Sequence, residues 1–256
     1  ESVRPYLHSR ILGHPLYVYS ELGSTNNTCK TLVRDHARHG TVVAANCQTA
    51  GKGRQGRTFV SPAGSGLYFS MILSEAVSLQ DAPLLTACAA VAAARAIDAL
   101  YGTQMQIKWV NDLYLDGKKC CGILTEGGVS LESGKLEHAI IGIGINVHEQ
   151  TFSPDAAQVA GYLDAWTDCP VSRGELAKAL LEELDGLETL DGLREYRAAC
   201  LTLGRTVRLL RPDGTQQAEA LDIDRDYGLI VRYGDGREET VRSGEVSVRG
   251  LYGYIE

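Results

Sequence analysis

Residues 51–57 read Gly-Lys-Gly-Arg-Gln-Gly-Arg. Glycine lets a backbone pass close to a ligand at dihedrals that other residues avoid. Lys52, Arg54 and Arg57 then surround that path with positive charge. The whole chain has a net charge of −7, so the cluster is a local exception. It points to an anionic ligand, a phosphate or a carboxylate, gripped by a loop. A solvated basic surface loop would have the same composition, so the cluster alone does not decide. Gly51, Gly53 and Gly56 match G-x-G-x-x-G, but a dinucleotide fingerprint needs a helix directly afterwards. Residues 58–66 contain Ser-Pro-Ala-Gly-Ser-Gly and cannot continue as one. A P-loop is excluded because no Lys-Ser or Lys-Thr follows a GxxxxG.

The elements around this loop follow from pattern. Residues 16–22 alternate as a strand, and Ser24-Thr25-Asn26 offers a helix N-cap for a segment ending near Gly40. Residues 41–48 are β-rich. Residues 49–66 form a long aperiodic loop, and 67–73 read as a strand. Residues 81–101 are alanine-rich with apolar residues on several faces, a helix buried on more than one side. Arg95 and Asp98 interrupt its apolar run, which argues against a membrane span. Strands are expected at 107–110, at 113–115 and 120–126 across an Asp116-Gly117 turn, and at 137–147 across Ser133-Gly134. Helices are expected over 155–166, 173–190 and 193–203; Leu176, Leu180, Leu181, Leu184 and Leu187 form a stripe on the second. After Gly204 the composition changes to short strands at 207–210, 218–223, 229–233 and 239–242, with Asp213-Gly214 and Asp235-Gly236 as turns. The expected fold is α/β (α+β): a central mixed sheet with flanking helices over residues 1–203, then a small SH3-like barrel over 204–256.

The composition is 44% hydrophobic and 22% charged, that of a soluble globular protein. The acidic balance argues against DNA binding by this chain. Seven cysteines without a CxxC pair suit free thiols in a reducing cytoplasm better than zinc or disulfides. No signal peptide or lipidation motif is visible. The chain starts at Glu1, so an upstream segment is expected to have been removed.

Five motifs in order carry a resemblance. They are Ser24-Thr25-Asn26 after a strand; Gln48 ahead of the glycine-rich loop with Ser61-Pro62 after it; Lys108-Trp109-Val110-Asn111-Asp112; Lys119 with Cys121-Gly122-Ile123-Leu124; and Gly142-Ile143-Gly144-Ile145-Asn146-Val147. Together they resemble the biotin–protein ligase family (biotin–[acetyl-CoA-carboxylase] ligase, BirA-type). The resemblance implies a two-step reaction. Biotin and MgATP give biotinyl-5′-adenylate and pyrophosphate, and the adenylate then acylates a lysine of a biotin carboxyl carrier domain.

The resemblance also implies residue roles. Arg54 and Lys119 are the catalytic candidates, because two anions must meet and fixed cations offset their repulsion. Ser24, Thr25, Asn26, Gln48, Gly51, Lys52, Arg54, Lys119, Gly122 and Gly144 are the biotin contacts. Arg54, Arg57, Phe59, Asn111, Lys119 and Asn146 are the ATP contacts. Asp112 is the candidate for Mg²⁺. Six of them have a plain alternative: Ser24 and Thr25 as helix caps, Lys119 as a turn residue, Asp112 as a turn cap, Gly122 and Gly144 as strand-packing glycines. Trp109 reads as core. Lys52 stands where the family often has arginine, Phe59 where it often has tryptophan, and Val110 where it has proline. The loop is expected to be mobile without ligand and ordered with it. Other readings are a lipoate or octanoate ligase or transferase of related fold, and the catalytic part of a bifunctional ligase/repressor. Residues 3–13 resemble the segment that follows a DNA-binding domain in longer relatives. The expected assembly is a monomer or homodimer.

Overall fold

A computed structural model describes residues 9–10, 12–74, 82–129, 136–187, 192–211, 214–242 and 245–248. A seven-stranded sheet runs β1 (Leu16–Tyr19), β2 (Val42–Ala45), β3 (Gly66–Leu73), β7 (Leu136–Asn146), β6 (Lys118–Val129), β5 (Asp112–Leu115), β4 (Gln106–Lys108) in spatial order. β1 and β2 are parallel, joined by helix α1 (Thr25–Arg34), and every later pair is antiparallel. The sheet is therefore mixed, as the pattern predicts. Ser133-Gly134, expected at the β6–β7 turn, lies outside the described residues.

Side-chain alternation assigns the two faces. On β7, Ile141, Ile143 and Ile145 enter the large core, as do Cys121 and Ile123 of β6 and Phe69, Met71 and Leu73 of β3. Helix α2 (Ala82–Tyr101) covers that face with its buried Ala87–Ala94 stretch. It is the one helix among the described residues long and apolar enough to cross a membrane, yet 67% of its apolar window is buried in the protein. Its two charges have partners: Arg95 pairs with Glu195 at 2.5 Å, and Asp98 accepts from Met105 N at 2.9 Å. The opposite face holds a small cluster, Cys29, Val43, Ile72 and Ile140, beneath α1. Gly122, Leu124 and Glu126 of β6, Gly142 and Gly144 of β7, and Ser70 of β3 share the register positions of that face.

Helices α3 (Pro154–Val159), α4 (Arg173–Leu184) and α5 (Leu193–Ala199) complete this part. The five leucines expected to form a stripe are all buried. The helix expected over 155–166 is broken. At Ala160 the chain bridges to Lys119, and Gly161 N donates to Lys119 O at 2.9 Å, before a 3-10 turn at Leu163–Trp166. Lateral pairing with β6 replaces the helical bonds there. Likewise α5 stops at Ala199 because Cys200 bridges to Ile107. α4 ends at Leu184, six residues before the expected limit. The strand expected to reach Leu22 stops at Tyr19, and that expected to reach Val110 stops at Lys108.

The C-terminal part is a five-stranded antiparallel sheet in order β11 (Glu238–Val241), β10 (Leu229–Tyr233), β9 (Gly214–Ile223), β8 (Thr206–Arg211), β12 (Glu245–Val248). β12 adds a strand that the pattern did not predict. This sheet touches the larger part at Trp109, whose indole Nε1 donates to the Tyr227 carbonyl at 2.9 Å. Tyr196 lies edge-on to Tyr227, and its hydroxyl donates to Val110 O at 3.2 Å.

Candidate active site

Alternation on β6 and β7 sends Ile123, Ile141, Ile143 and Ile145 to the large core, so Gly122, Gly142 and Gly144 on the other face floor a concave surface. Over that floor lies a cavity of about 170 Å³. Its walls are the start of α1 (Ser24, Thr25, Asn26), Gln48, loop residues Lys52–Gln55 and Arg57–Phe59, and Lys108, Asn111, Asp112 and Lys119. Five cations therefore share a small volume with a single carboxylate.

The loop at 49–66 is more structured than its composition suggests. Gln48 bridges to Ser61 and Lys52 to Thr58, so the loop doubles back as a short hairpin with Arg54–Gly56 at its tip. Gln55 and Gly56 take φ of 55° and 76° there, and only the glycine adopts this without strain. A Cβ on Gly51 would stand 2.8 Å from Ser61 Oγ and overlap the Phe59 carbonyl. Gly51 thus closes the hairpin and does not line the cavity.

The tip delivers Arg54 to the β4–β5 segment, where its guanidinium donates to Asn111 Oδ1 at 2.9 Å. Asn111 Nδ2 donates to Ile123 O at 2.8 Å and to Asp112 Oδ1 at 3.0 Å. Lys119 Nζ pairs with the same Asp112 oxygen at 2.7 Å. The two cations expected to be catalytic are thereby tied to one Asn-Asp pair. Lys119 folds over the bare Cα of Gly122, and the Phe59 ring lies on Gly122 and Gly144. A Cβ on Gly144 would sit 2.7 Å from that ring, and one on Gly122 3.4 Å from Lys119 Nζ.

The α1 side of the cavity is a chain of polar groups, buried at Thr25, Asn26, Ser61 and Ser70 and half-buried at Gln48, Glu126 and Lys30. Thr25 N donates to Gln48 Oε1 at 2.8 Å, and Gln48 Nε2 donates to Ser61 Oγ at 2.9 Å. Ser70 Oγ lies 2.7 Å from Thr25 Oγ1 and 2.6 Å from Asn26 Oδ1. Asn26 Nδ2 donates to Glu126 at 2.9 Å, and Lys30 closes the chain on Glu126 at 2.6 Å. Burial alone would raise the Glu126 carboxyl; the hydrogen bonds from Lys30 and Asn26 outweigh it and hold the group below the ordinary glutamate range.

Most of the residues singled out from the sequence converge on this cavity. Asn146 does not: it is buried and its Nδ2 donates to Gly161 O at 3.0 Å. Gly51 does not either, for the reason given above. Ser24 sits at the N-cap position of α1 but makes no side-chain capping bond. Trp109 is 4% exposed, as a core residue should be, but it also borders the cavity. Sequence reasoning missed Ser70 and Glu126, and gave no role to Gly142 although it opens one of the five motifs. A lone serine inside an otherwise apolar strand, Leu67–Leu73, was the available signal.

Residues 20–146 match the Biotin/lipoate A/B protein ligase family, and residues 202–249 match the Biotin protein ligase C terminal domain. The Bifunctional ligase/repressor BirA of Bacillus subtilis (strain 168) is 34% identical, over 91% of this chain and 74% of its own length. The Biotin--[acetyl-CoA-carboxylase] ligase of Mycobacterium tuberculosis is 30% identical, over 90% of this chain and 88% of its own. Biotin protein ligase from Aquifex aeolicus in complex with biotin and ATP superposes with a TM-score of 0.77 at 28% identity, covering 91% of this chain and 98% of that one. Fold, site and likeness together define a class of carboxylate-activating protein ligases. The chain belongs to the BirA-type biotin protein ligase family.

Proposed function

We infer that this chain activates biotin with ATP as biotinyl-5′-adenylate and transfers it to a lysine of a biotin carboxyl carrier domain. The observation that carries this reading is the convergence of Arg54 and Lys119 on one Asn111–Asp112 pair over a glycine floor. A carboxylate attacking an α-phosphate brings two anions together, and cations already held in place lower that barrier without reorganising. Lys119 and Arg54 hold the biotin carboxylate and the phosphoryl oxygens as the carboxylate oxygen bonds to phosphorus and pyrophosphate leaves. In the second step the acceptor amine attacks the acyl carbon of the mixed anhydride and AMP departs.

Biotin's bicyclic head carries one carbonyl and two N–H groups. Ser24, Thr25, Asn26 and Gln48 supply the few polar contacts that such a head needs in a narrow pocket. Phe59, Arg57 and Asn111 lie on the nucleotide side. The loop at 49–66, ordered over the adenylate, keeps water from the anhydride. Magnesium typically binds through one or two carboxylates together with substrate phosphates and keeps several waters. Asp112 fits that donor set, and among the described residues there is no group of three acidic, His or Cys ligands that would form a dedicated cage. When bound, the ion would offset phosphate charge.

The nearest competing reading is a ligase for lipoate, since the matched family spans both activities. Exchange of labelled pyrophosphate into ATP separates them: it should depend on biotin and be unmoved by lipoate. A carrier domain incubated with the chain, biotin and MgATP should gain the mass of one biotinyl group. Exchange driven by lipoate and not biotin would overturn the assignment.

A further inference from the structure

The polar chain on the α1 side has a direction. Asn26 Nδ2 faces the Glu126 carboxylate at 2.9 Å and the Leu124 carbonyl at 3.5 Å. An ionised carboxylate and a peptide carbonyl only accept hydrogen bonds, so this edge of the amide must be its NH₂. Oδ1 is therefore turned toward Ser70 and the bare Cα of Gly142. An amide oxygen holds no proton, so Ser70 spends its single hydroxyl proton on Asn26. At 2.7 Å from Thr25 Oγ1, Ser70 must then accept, and Thr25 is the donor. Gln48 Oε1 takes the Thr25 N–H at 2.8 Å and lies 3.1 Å from the same hydroxyl; with the shorter contact to Ser70 holding the hydroxyl proton, Thr25 Oγ1 and Gln48 Oε1 both present lone pairs. Asn26 Oδ1 likewise has a second lone pair. The wall thus presents acceptors, the complement of a ligand that carries N–H donors.

We propose that Glu126 is a positioning residue that sets the hydrogen-bond polarity of this wall and so selects the ureido N–H groups of the substrate. The proposal rests on the biotin assignment above and deepens it. Glu126 acts only through Asn26, and Lys30 balances its charge from the solvent side, where the Lys30 and Glu126 side chains are 37% and 25% exposed. A glutamine in place of Glu126 could turn its own NH₂ toward Asn26. The amide would then be free to flip, and the ordering of the Ser70 and Thr25 protons would be lost.

The test is calorimetric binding of biotin without nucleotide, with steady-state kinetics beside it, for wild type, E126Q, N26A, the double variant and K30M. One misdirected hydrogen bond costs about tenfold in affinity. Expected for E126Q is a roughly tenfold weaker biotin Kd and a matching rise in the biotin KM, while the ATP KM and kcat shift by less than about threefold. N26A should make E126Q silent, because the two act through one amide. K30M keeps the Glu126–Asn26 bond and should cost less than about threefold. Wild-type affinity in E126Q, losses that multiply in the double variant, or a K30M defect equal to that of E126Q would each overturn the proposal. If wild type binds no biotin, the biotin assignment itself fails and takes the proposal with it.

Discussion

Gly142→Ala is the sharpest probe of how tightly the site is built. A Cβ at this position would overlap Asn26 Oδ1 and come within 2.9 Å of Cγ and 3.2 Å of Nδ2. The amide cannot retreat cheaply, since Ser70 holds one end and Glu126 the other. Overpacking of this kind costs about 1–3 kcal/mol, and each hydrogen bond lost adds about 0.5–1.5 kcal/mol. A total of about 3 kcal/mol should lower Tm by about 6–12 °C in a chain of this size. Biotin binding should weaken as well, because the displaced residue lines the cavity. Gly23→Ala is the control: no atom stands within 4 Å of its Cβ position, so its stability should stay within about 0.5 kcal/mol. Thermal melting and biotin calorimetry on both variants check this. A Gly142→Ala protein that melts and binds like wild type would refute the packing argument.

Lys119→Ala should slow biotin-dependent pyrophosphate exchange by about 100-fold, read at saturating ATP, with folding intact by circular dichroism. A thiol reagent at pH 8 should modify Cys169, which is exposed, and more slowly the half-buried Cys47. Cys29, Cys88, Cys120, Cys121 and Cys200 are buried and should stay protected until denaturation. Burial pushes the Cys29 and Cys120 thiols up to about 12, so little reactive thiolate exists there. Acid melts should distinguish Glu126→Gln from wild type. The depressed native pKa means that Glu126 contributes stability above the ordinary glutamate range and loses it as pH falls through its folded value. Wild type should therefore lose a stabilising contribution on acidification that the variant lacks.

Much of this was legible in the sequence because it repeats with a local period. The isoleucine–glycine alternation of residues 140–145 gives β7 and its two faces at once. The leucine stripe gives α4, and the loop cations sit where their glycines allow close approach. The parts that were missed depend on partners distant in sequence. Asn146 looks like a ligand amide from its motif, but its Nδ2 is taken by Gly161 across a turn. The 155–166 helix fails because Ala160 and Gly161 pair sideways with Lys119, which composition cannot show. Ser70 and Glu126 gain meaning only once β3, β6 and α1 are brought together. Glu245–Val248 alternates as a strand should, but its neighbour is β8 and not the adjacent β11.

The buried indole N–H of Trp109 is satisfied by the carbonyl of Tyr227. Peeling the small sheet away would strand a dry N–H and empty the aromatic nest under residues 109–111, next to the asparagine that anchors Arg54. Stripped of its tail piece, the larger half would keep every reacting group and lose the ground beneath them. The two layers should rise and melt as one cooperative unit.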